Sequence, residues 1–354
     1  MVYDTLLVIM GRERIGSQKE RSGMRALIFR DNTLSFVQNY PQPALQPGEA
    51  LVRVTMAGIC NTDIEIMRGY LAFEGVPGHE FVGVVEAIPS SDEIALSLIG
   101  QRVVGEINAA CHRADCWYCQ RNMPTQCPNR TTLGILNRDG AFAEYLTLPI
   151  ENLRSIPDNV SDEEAVFVEP LAANFEIFEQ VHVRPTDVVI VLGDGKMGQL
   201  AVQVMALSGC DVRIVGKHRE KLSLIEQRGI VTYALDDVER ALVDVGRRVD
   251  MVVECTGSAR GLELALHLVR PRGTVILKST VAEKSTLDLA PIVIDEIRVQ
   301  GSRCGPFEPA LRALSRKTID VRPIISKTYS LDSAIEAFDY AQQPGALKVL
   351  LRVL

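Results

Sequence analysis

Four cysteines, Cys111, Cys116, Cys119 and Cys127, fall within 17 residues at the spacing C-x4-C-x2-C-x7-C. Four thiolates from one lobe can close a tetrahedral site around Zn²⁺, which has no redox chemistry to threaten them; a closed S4 site is structural because it leaves no open position. The C-x2-C pair at Cys116 and Cys119 is the firm part of the pattern, and His112 and Asp115 lie close enough to replace a cysteine. Free thiols and a redox pair at Cys116 and Cys119 are the blander readings. A second set is mixed. Cys60-Asn61-Thr62-Asp63 follows a strand-like run, and Gly78-His79-Glu80 stands nineteen residues later, before another such run. One thiolate, one imidazole and one or two carboxylates suit a metal with an open coordination position.

The third chemical signal is Val188-Val-Ile-Val-Leu followed by Gly193-Asp194-Gly195-Lys196-Met197-Gly198. This is G-x-G-x-x-G directly after a strand and opening a helix, a dinucleotide-binding arrangement. Gly193 permits the tight turn, Gly195 lets the backbone approach a pyrophosphate, and Gly198 lets helix and strand pack; Lys196 and Met197 sit in the same loop. The next strand, Val212–Val215, ends in Gly216-Lys217-His218-Arg219, where an acid normally holds the ribose hydroxyls of NAD. The acid is missing there and three potential cations stand in its place. Lys217 and Arg219 could pair with a 2′-phosphate and His218 could hydrogen-bond to it, so the sequence predicts NADP(H) over NAD(H). Thr256, in Glu254-Cys255-Thr256-Gly257 at a later strand end, is expected to line the nicotinamide crevice.

These residues need two kinds of scaffold. From Met24 the chain runs in short β-type segments broken by Gly, Pro and Asn, as in a largely antiparallel domain. After Pro157 a helix is predicted over Asp162–Val181, and strands then alternate with helices, which implies a parallel sheet wound on both faces. Beyond Pro291 the texture reverts and the tail rejoins the first domain. The predicted fold is α/β: a split β-rich domain at 24–160 and 295–354, a doubly wound Rossmann domain at 161–294, and a flexible extension at 1–23.

The whole chain is consistent with this. At 354 residues it has room for two domains, and 47% hydrophobic with 23% charged residues is the balance of a globular protein. A net charge of −7 without a basic stripe argues against nucleic acid as a partner. No apolar run approaches the ~20 residues a membrane span needs. Eight cysteines clustered this way in a long chain point to metal ligation in a reducing compartment, hence the cytoplasm.

Together, Cys60-x-Thr62-Asp63, Gly78-His79-Glu80, the four-cysteine lobe and the following glycine motif resemble the zinc-dependent medium-chain alcohol dehydrogenases, over nearly all of Met24 to Leu354. Glu169-Pro170-Leu171 is similar to the branch with sorbitol, threonine and archaeal glucose dehydrogenases, where a Glu takes the place of the third zinc ligand. The resemblance implies a GroES-like catalytic domain around a Rossmann domain, and two zinc ions per chain. It also implies a catalytic zinc held by Cys60, His79 and Glu169, with Glu80 as an alternative or exchanging ligand. Asp63 would orient His79, and Thr62 would pass on the substrate proton. Two departures stand out: Glu65 occupies the place of a relay histidine, and the Cys111–Cys116 step is two residues longer than usual.

The implied activity is hydride transfer between the CH–OH group of an alcohol, polyol or aldose and NADP(H), with zinc polarising the substrate oxygen. A homodimer or homotetramer follows from the same resemblance. The competing readings are a metal-free quinone or enone reductase on this fold and a non-catalytic NADP(H)-binding sensor. Pocket residues are expected around Cys60, Tyr70–Phe73, Asn108 and the segment after Cys304. Trp117 and Tyr118 are expected to form the small core of the cysteine lobe, and Arg303 to reach the ligands or to make an interdomain ion pair.

Overall fold

The computed structural model describes residues 23–69, 71–280 and 286–354, so nearly all of the expected extension at 1–23 and Tyr70 lie outside it. Two sheets organise these residues. One is largely antiparallel, with Ile325–Ser330, Lys348–Arg352, Glu49–Ile59, Glu80–Ala87, Arg102–Gly105 and Leu153–Ser155 side by side, and Tyr145–Pro149 added to Glu49–Ile59. The C-terminal strand Lys348–Arg352 lies antiparallel to Glu49–Ile59, pairing Val349 with Ile59 and Leu350 with Gly58. The tail therefore completes the sheet begun near the N-terminus. Only a split domain permits that.

Alternating burial explains these strands. In Glu49–Ile59, Ala50, Val52, Val54 and Met56 are all at most 3% exposed, whereas Leu51, Arg53 and Thr55 are only partly covered. That two-residue period packs Ala50, Val52 and Val54 into a core with Leu27, Leu146, Leu148 and Phe338, whereas Met56, beyond a shift in register, joins a second core with Val82, Val104 and Val166. At the end of the strand the alternation stops: Ala57, Gly58 and Ile59 are all buried, because here the sheet meets the second domain.

The second sheet is six-stranded and parallel, in the order Val231–Ala234, Asp211–Gly216, Val188–Leu192, Met251–Glu254, Thr274–Leu277 and Arg298–Gly301. Its central strand Val188–Leu192 is buried throughout, as expected where helices cover both faces. Gly301 pairs with Leu277 in this sheet. The parallel sheet thus runs past residue 294, where the sequence texture placed the return to the first domain; the sequence marks a strand at Arg298–Gly301 but not which sheet it pairs with. The single helix predicted at 162–181 is two, Asp162–Ala165 and Val168–Gln180. Among the described residues no helix is long and apolar enough to cross a membrane.

Candidate metal and dinucleotide site

The mixed donor set gathers where strand ends meet. Cys60 caps the short helix Asn61–Met67, and its N–H donates to Asp63 Oδ2 at 2.8 Å. The other oxygen, Asp63 Oδ1, lies 3.1 Å from His79 Nδ1, and both side chains are at most 3% exposed. One carboxylate therefore both closes the helix start and faces the imidazole. Cys60, His79 and Glu80 each bring a donor atom within 4.8 Å of the others. A Cβ on Gly58 would lie 2.5 Å from Glu80 Oε2, so that glycine makes the room the carboxylate occupies.

The polar atoms here fit a cation. Asp63 Oδ1, His79 Nδ1 and Glu80 Oε1 are buried without an aligned hydrogen bond among the described residues, including the close Asp63–His79 pair. Such atoms cost about 1–3 kcal/mol each unless something satisfies them. Burial disfavours charge on His79, yet Asp63 and Cys60 outweigh it and raise the imidazole well above its usual pKa. A pocket that stabilises positive charge and offers thiolate, imidazole and carboxylate suits a borderline-soft divalent metal.

Three further groups ring this cluster. Glu169, in the first turn of Val168–Gln180, is outside the converging set; burial raises its pKa, with His79 and Glu80 near enough to act on it. Lys348 is fully buried, ion-paired with Glu80 Oε2, and 5.6 Å above the Phe167 ring. Lys196 reaches across from the glycine loop and donates to the Ile59 carbonyl at 3.1 Å. Thr62 Oγ1 lies 3.7 Å from Cys60 Sγ, and Glu65 pairs with Arg68 at 3.0 Å. Neither lysine was legible as part of the metal site: Lys348 lies 268 positions from its partner, and Lys196 looks like a loop residue.

All four lobe cysteines converge, with Cys111–Cys127 sulfurs 3.4 Å apart and Cys111–Cys119 and Cys116–Cys127 sulfurs 3.8 Å apart. His112 pairs instead with Glu151 at 2.6 Å and Asp115 with Arg113 at 2.6 Å, so neither replaces a cysteine in the cluster. Trp117 and Tyr118 do not form the lobe's core: they are 54% and 36% exposed, and Arg121 stacks 4.1 Å over the indole. Among the described residues Arg303 makes no ion pair across the domains but donates to the Thr125 carbonyl at 2.7 Å, tying the re-entering chain to the lobe.

Beside the metal cluster lies a cleft of about 800 Å³ lined by Gly193, Gly195, Gly216, Lys217, His218 and Thr256 among others. Gly193 has φ +109°, and a Cβ there would lie 2.7 Å from the Cys255 carbonyl. A Cβ on Gly195 would meet nothing within 4 Å, so the loop is open where the helix Lys196–Ala206 presents its N–H groups. That concavity fits a diphosphate. Thr256 stays exposed on the cleft wall, its N–H and hydroxyl donating to Glu254 Oε1 at 2.7 and 2.5 Å.

An acid does stand at the second strand's end, and it comes from the glycine loop. Asp194 is 6% exposed, and its Oδ2 would lie 2.5 Å from a Cβ on Gly216. It accepts the His218 N–H at 2.6 Å and lies 3.0 Å from His218 Nδ1. Gly216, read from sequence as a missing acid, is the gap into which Asp194 folds. Lys217 and Arg219 are exposed with no ion pair among the described residues, while Lys221 is 8% exposed on the cleft wall.

Comparison with known proteins agrees with this geometry. Residues 46–158 match the family model of the alcohol dehydrogenase GroES-like domain, and 197–317 that of the zinc-binding dehydrogenase domain. A sorbitol dehydrogenase of Halalkalibacterium halodurans is 28% identical over 329 residues, 89% of this chain and 94% of its own. A Sinorhizobium meliloti chain described as a zinc-binding dehydrogenase and bound to NADP superposes with TM-score 0.85 at 30% identity, covering 94% of this chain and 100% of that one. An Escherichia coli alcohol dehydrogenase complexed with NADH superposes with TM-score 0.85 at 26% identity, covering 94% and 100%.

The chain belongs to the zinc-dependent medium-chain alcohol dehydrogenase family. Within that family it is an alcohol dehydrogenase-type oxidoreductase, a GroES-like domain joined to a Rossmann domain.

Proposed function

We propose that the protein is a zinc- and NADP(H)-dependent dehydrogenase of a polyol, aldose or other secondary alcohol, acting in the cytoplasm as a homodimer or homotetramer. The observation that carries this is the convergence of Cys60, His79 and Glu80 beside the dinucleotide cleft. Cys60 and His79, with Glu169 or Glu80 as carboxylate, would hold the catalytic zinc; Cys111, Cys116, Cys119 and Cys127 would hold a structural one. Bound there, zinc supplies Lewis acidity that favours loss of the alcohol proton.

The chain's own residues do the rest. Asp63 faces His79 Nδ1 and so fixes the imidazole's orientation, leaving Nε2 as the ligating nitrogen. The Thr62 hydroxyl, beside Cys60, would accept the alcohol proton as it passes its own on toward solvent, with the carbon's hydride going to the nicotinamide; such proton transfers are worth about 10²–10⁴-fold. Glu65, at the place of a relay histidine, is paired with Arg68. Gly193, Gly195 and Gly198, with the main-chain N–H groups of Lys196 and Met197, seat the diphosphate, and Thr256 lies along the crevice.

Preference for NADP(H) is supported by charge. His218 occupies the Asp194 carboxylate, while Lys217 and Lys221 line the cleft and Arg219 is exposed next to them. A polyhydroxylated substrate is supported by the sorbitol dehydrogenase relative and by the buried Asn108 amide near Cys304. Zinc analysis combined with a panel of polyols, sugars and alcohols, run with each cofactor, tests the reading. Metal-free protein that still reduces a quinone would overturn it.

A further inference from the structure

Lys196 occupies a place where its main chain and side chain serve different parts of the molecule. It is the first residue of the helix Lys196–Ala206, next to Gly195 in the loop whose N–H groups face the cleft. Its side chain turns away from that loop and donates to the Ile59 carbonyl at 3.1 Å, 137 positions earlier. Ile59 is fully buried, ends the strand Glu49–Ile59, and is followed directly by Cys60. Its neighbour across the sheet is Val349, next to the Lys348 that holds Glu80.

One side chain thus joins the segment that would carry the diphosphate to the segment that would carry the metal. Other ties run through different elements: Asn174, on the helix that carries Glu169, donates to Met197 Sδ at 3.0 Å, Gln203 donates to the Asp320 carbonyl at 3.2 Å, and Arg303 reaches the cysteine lobe at Thr125. None of these ends on the strand that leads into Cys60. Hydride transfer needs its two carbons about 3–3.5 Å apart, and a misplacement of about 1 Å costs on the order of 10²-fold. A single hydrogen bond across the cleft is well placed to set that spacing.

We propose that Lys196 is a positioning residue that holds the dinucleotide loop in register with Cys60, so that cofactor binding is transmitted to the metal site. The proposal rests on the zinc dehydrogenase reading above. It differs from an ordinary role for a loop lysine, which would be to neutralise the diphosphate and set cofactor affinity.

The test is cobalt-substituted protein, full chain, titrated with NADPH and with NADH while the Co²⁺–thiolate absorption is followed; nicotinamide fluorescence gives the dissociation constant in the same samples. In the unmodified protein the Cys60-dependent bands shift on saturation. In Lys196→Met the shift falls to less than a fifth while cofactor affinity stays within threefold, and Lys196→Arg restores it. A full shift in Lys196→Met, or a loss of cofactor affinity that accounts for the change, would overturn the proposal. So would the absence of any shift in the unmodified protein. Failure of the underlying reading looks different: Cys60→Ala would then leave the cobalt spectrum unchanged.

Discussion

Lys348 and Glu80, 268 positions apart, form an ion pair in which both side chains are 1% exposed. Burial works against the ammonium charge, but Glu80 and Cys60 outweigh it and raise the Lys348 pKa. The pair holds one Glu80 oxygen while the other, Oε1, has no partner among the described residues and lies beside Cys60 and His79. Lys348 therefore governs how much of Glu80 is available to a metal.

Replacing Lys348 with Met is expected to destabilise the protein by about 3–5 kcal/mol, because it leaves a buried carboxylate uncompensated. Lys348→Met with Glu80→Gln should recover more than half of that loss. Urea unfolding of the single and double variants checks it; a double variant as unstable as the single one would assign the loss to packing against Phe167 instead.

Metal content separates the two cysteine sites. About two zinc ions per chain are expected by elemental analysis, one of them lost in Cys60→Ala with little change in stability. Cys119→Ala should lose the other and loosen the lobe, since a closed thiolate site contributes directly to folding. Two ions retained in Cys60→Ala would remove Cys60 from the metal site.

At the cofactor cleft, Lys217→Glu with Arg219→Glu is expected to lower the ratio of kcat/KM for NADP to that for NAD by at least about tenfold. That is the 1.4 kcal/mol of one modest charge-assisted contact. Asp194→Asn should move the ratio the other way by removing the buried carboxylate beside Gly216. A ratio unmoved by the first change would show both cations to be merely solvated.

Thr62→Val should keep zinc and cofactor binding and lower turnover at least tenfold, as loss of a proton-passing hydroxyl implies. Steady-state rates together with NADPH binding by fluorescence check this. Unchanged turnover would exclude Thr62 from the relay.

Acid stability reports on Glu164, whose side chain is 6% exposed and lies 3.0 Å from Lys317 and 3.2 Å from Arg322. Burial pushes its pKa up, but the Ser161 N–H and Lys317 outweigh this and leave it below the usual 4.5. Because the folded value is depressed, its stabilisation is present above the unfolded value and lost as pH falls through the folded one. Glu164→Gln is thus expected to cost about 1–2 kcal/mol at pH 7 and nothing once both states are protonated. A gap that persists in strong acid would contradict this.

What was legible in the sequence is what local order encodes. The glycine loop could be read because G-x-G-x-x-G sits between an all-apolar strand and a helix, and the cysteine lobe because its four donors lie within 17 residues. Cys60 and His79 could be paired because Cys60 follows one strand-like run, His79 precedes another, and the motifs around them resemble a known family, and the return of the C-terminal tail to the first sheet because its texture changes. The strand Arg298–Gly301 is legible as a strand but not as the edge of the parallel sheet, because which sheet it joins depends on its pairing with Thr274–Leu277.

Only the tertiary structure decided which distant groups share one buried space. Asp194 reaches the second strand's end because Gly216 has no side chain there, a steric fact about two segments that neither reveals alone. Lys348 meets Glu80 because the C-terminal strand pairs with Glu49–Ile59, and Lys196 meets Ile59 because two domains close on each other. Charge in a low-dielectric interior acts strongly at such contacts, so the chemistry of this site is set by folding as much as by its motifs.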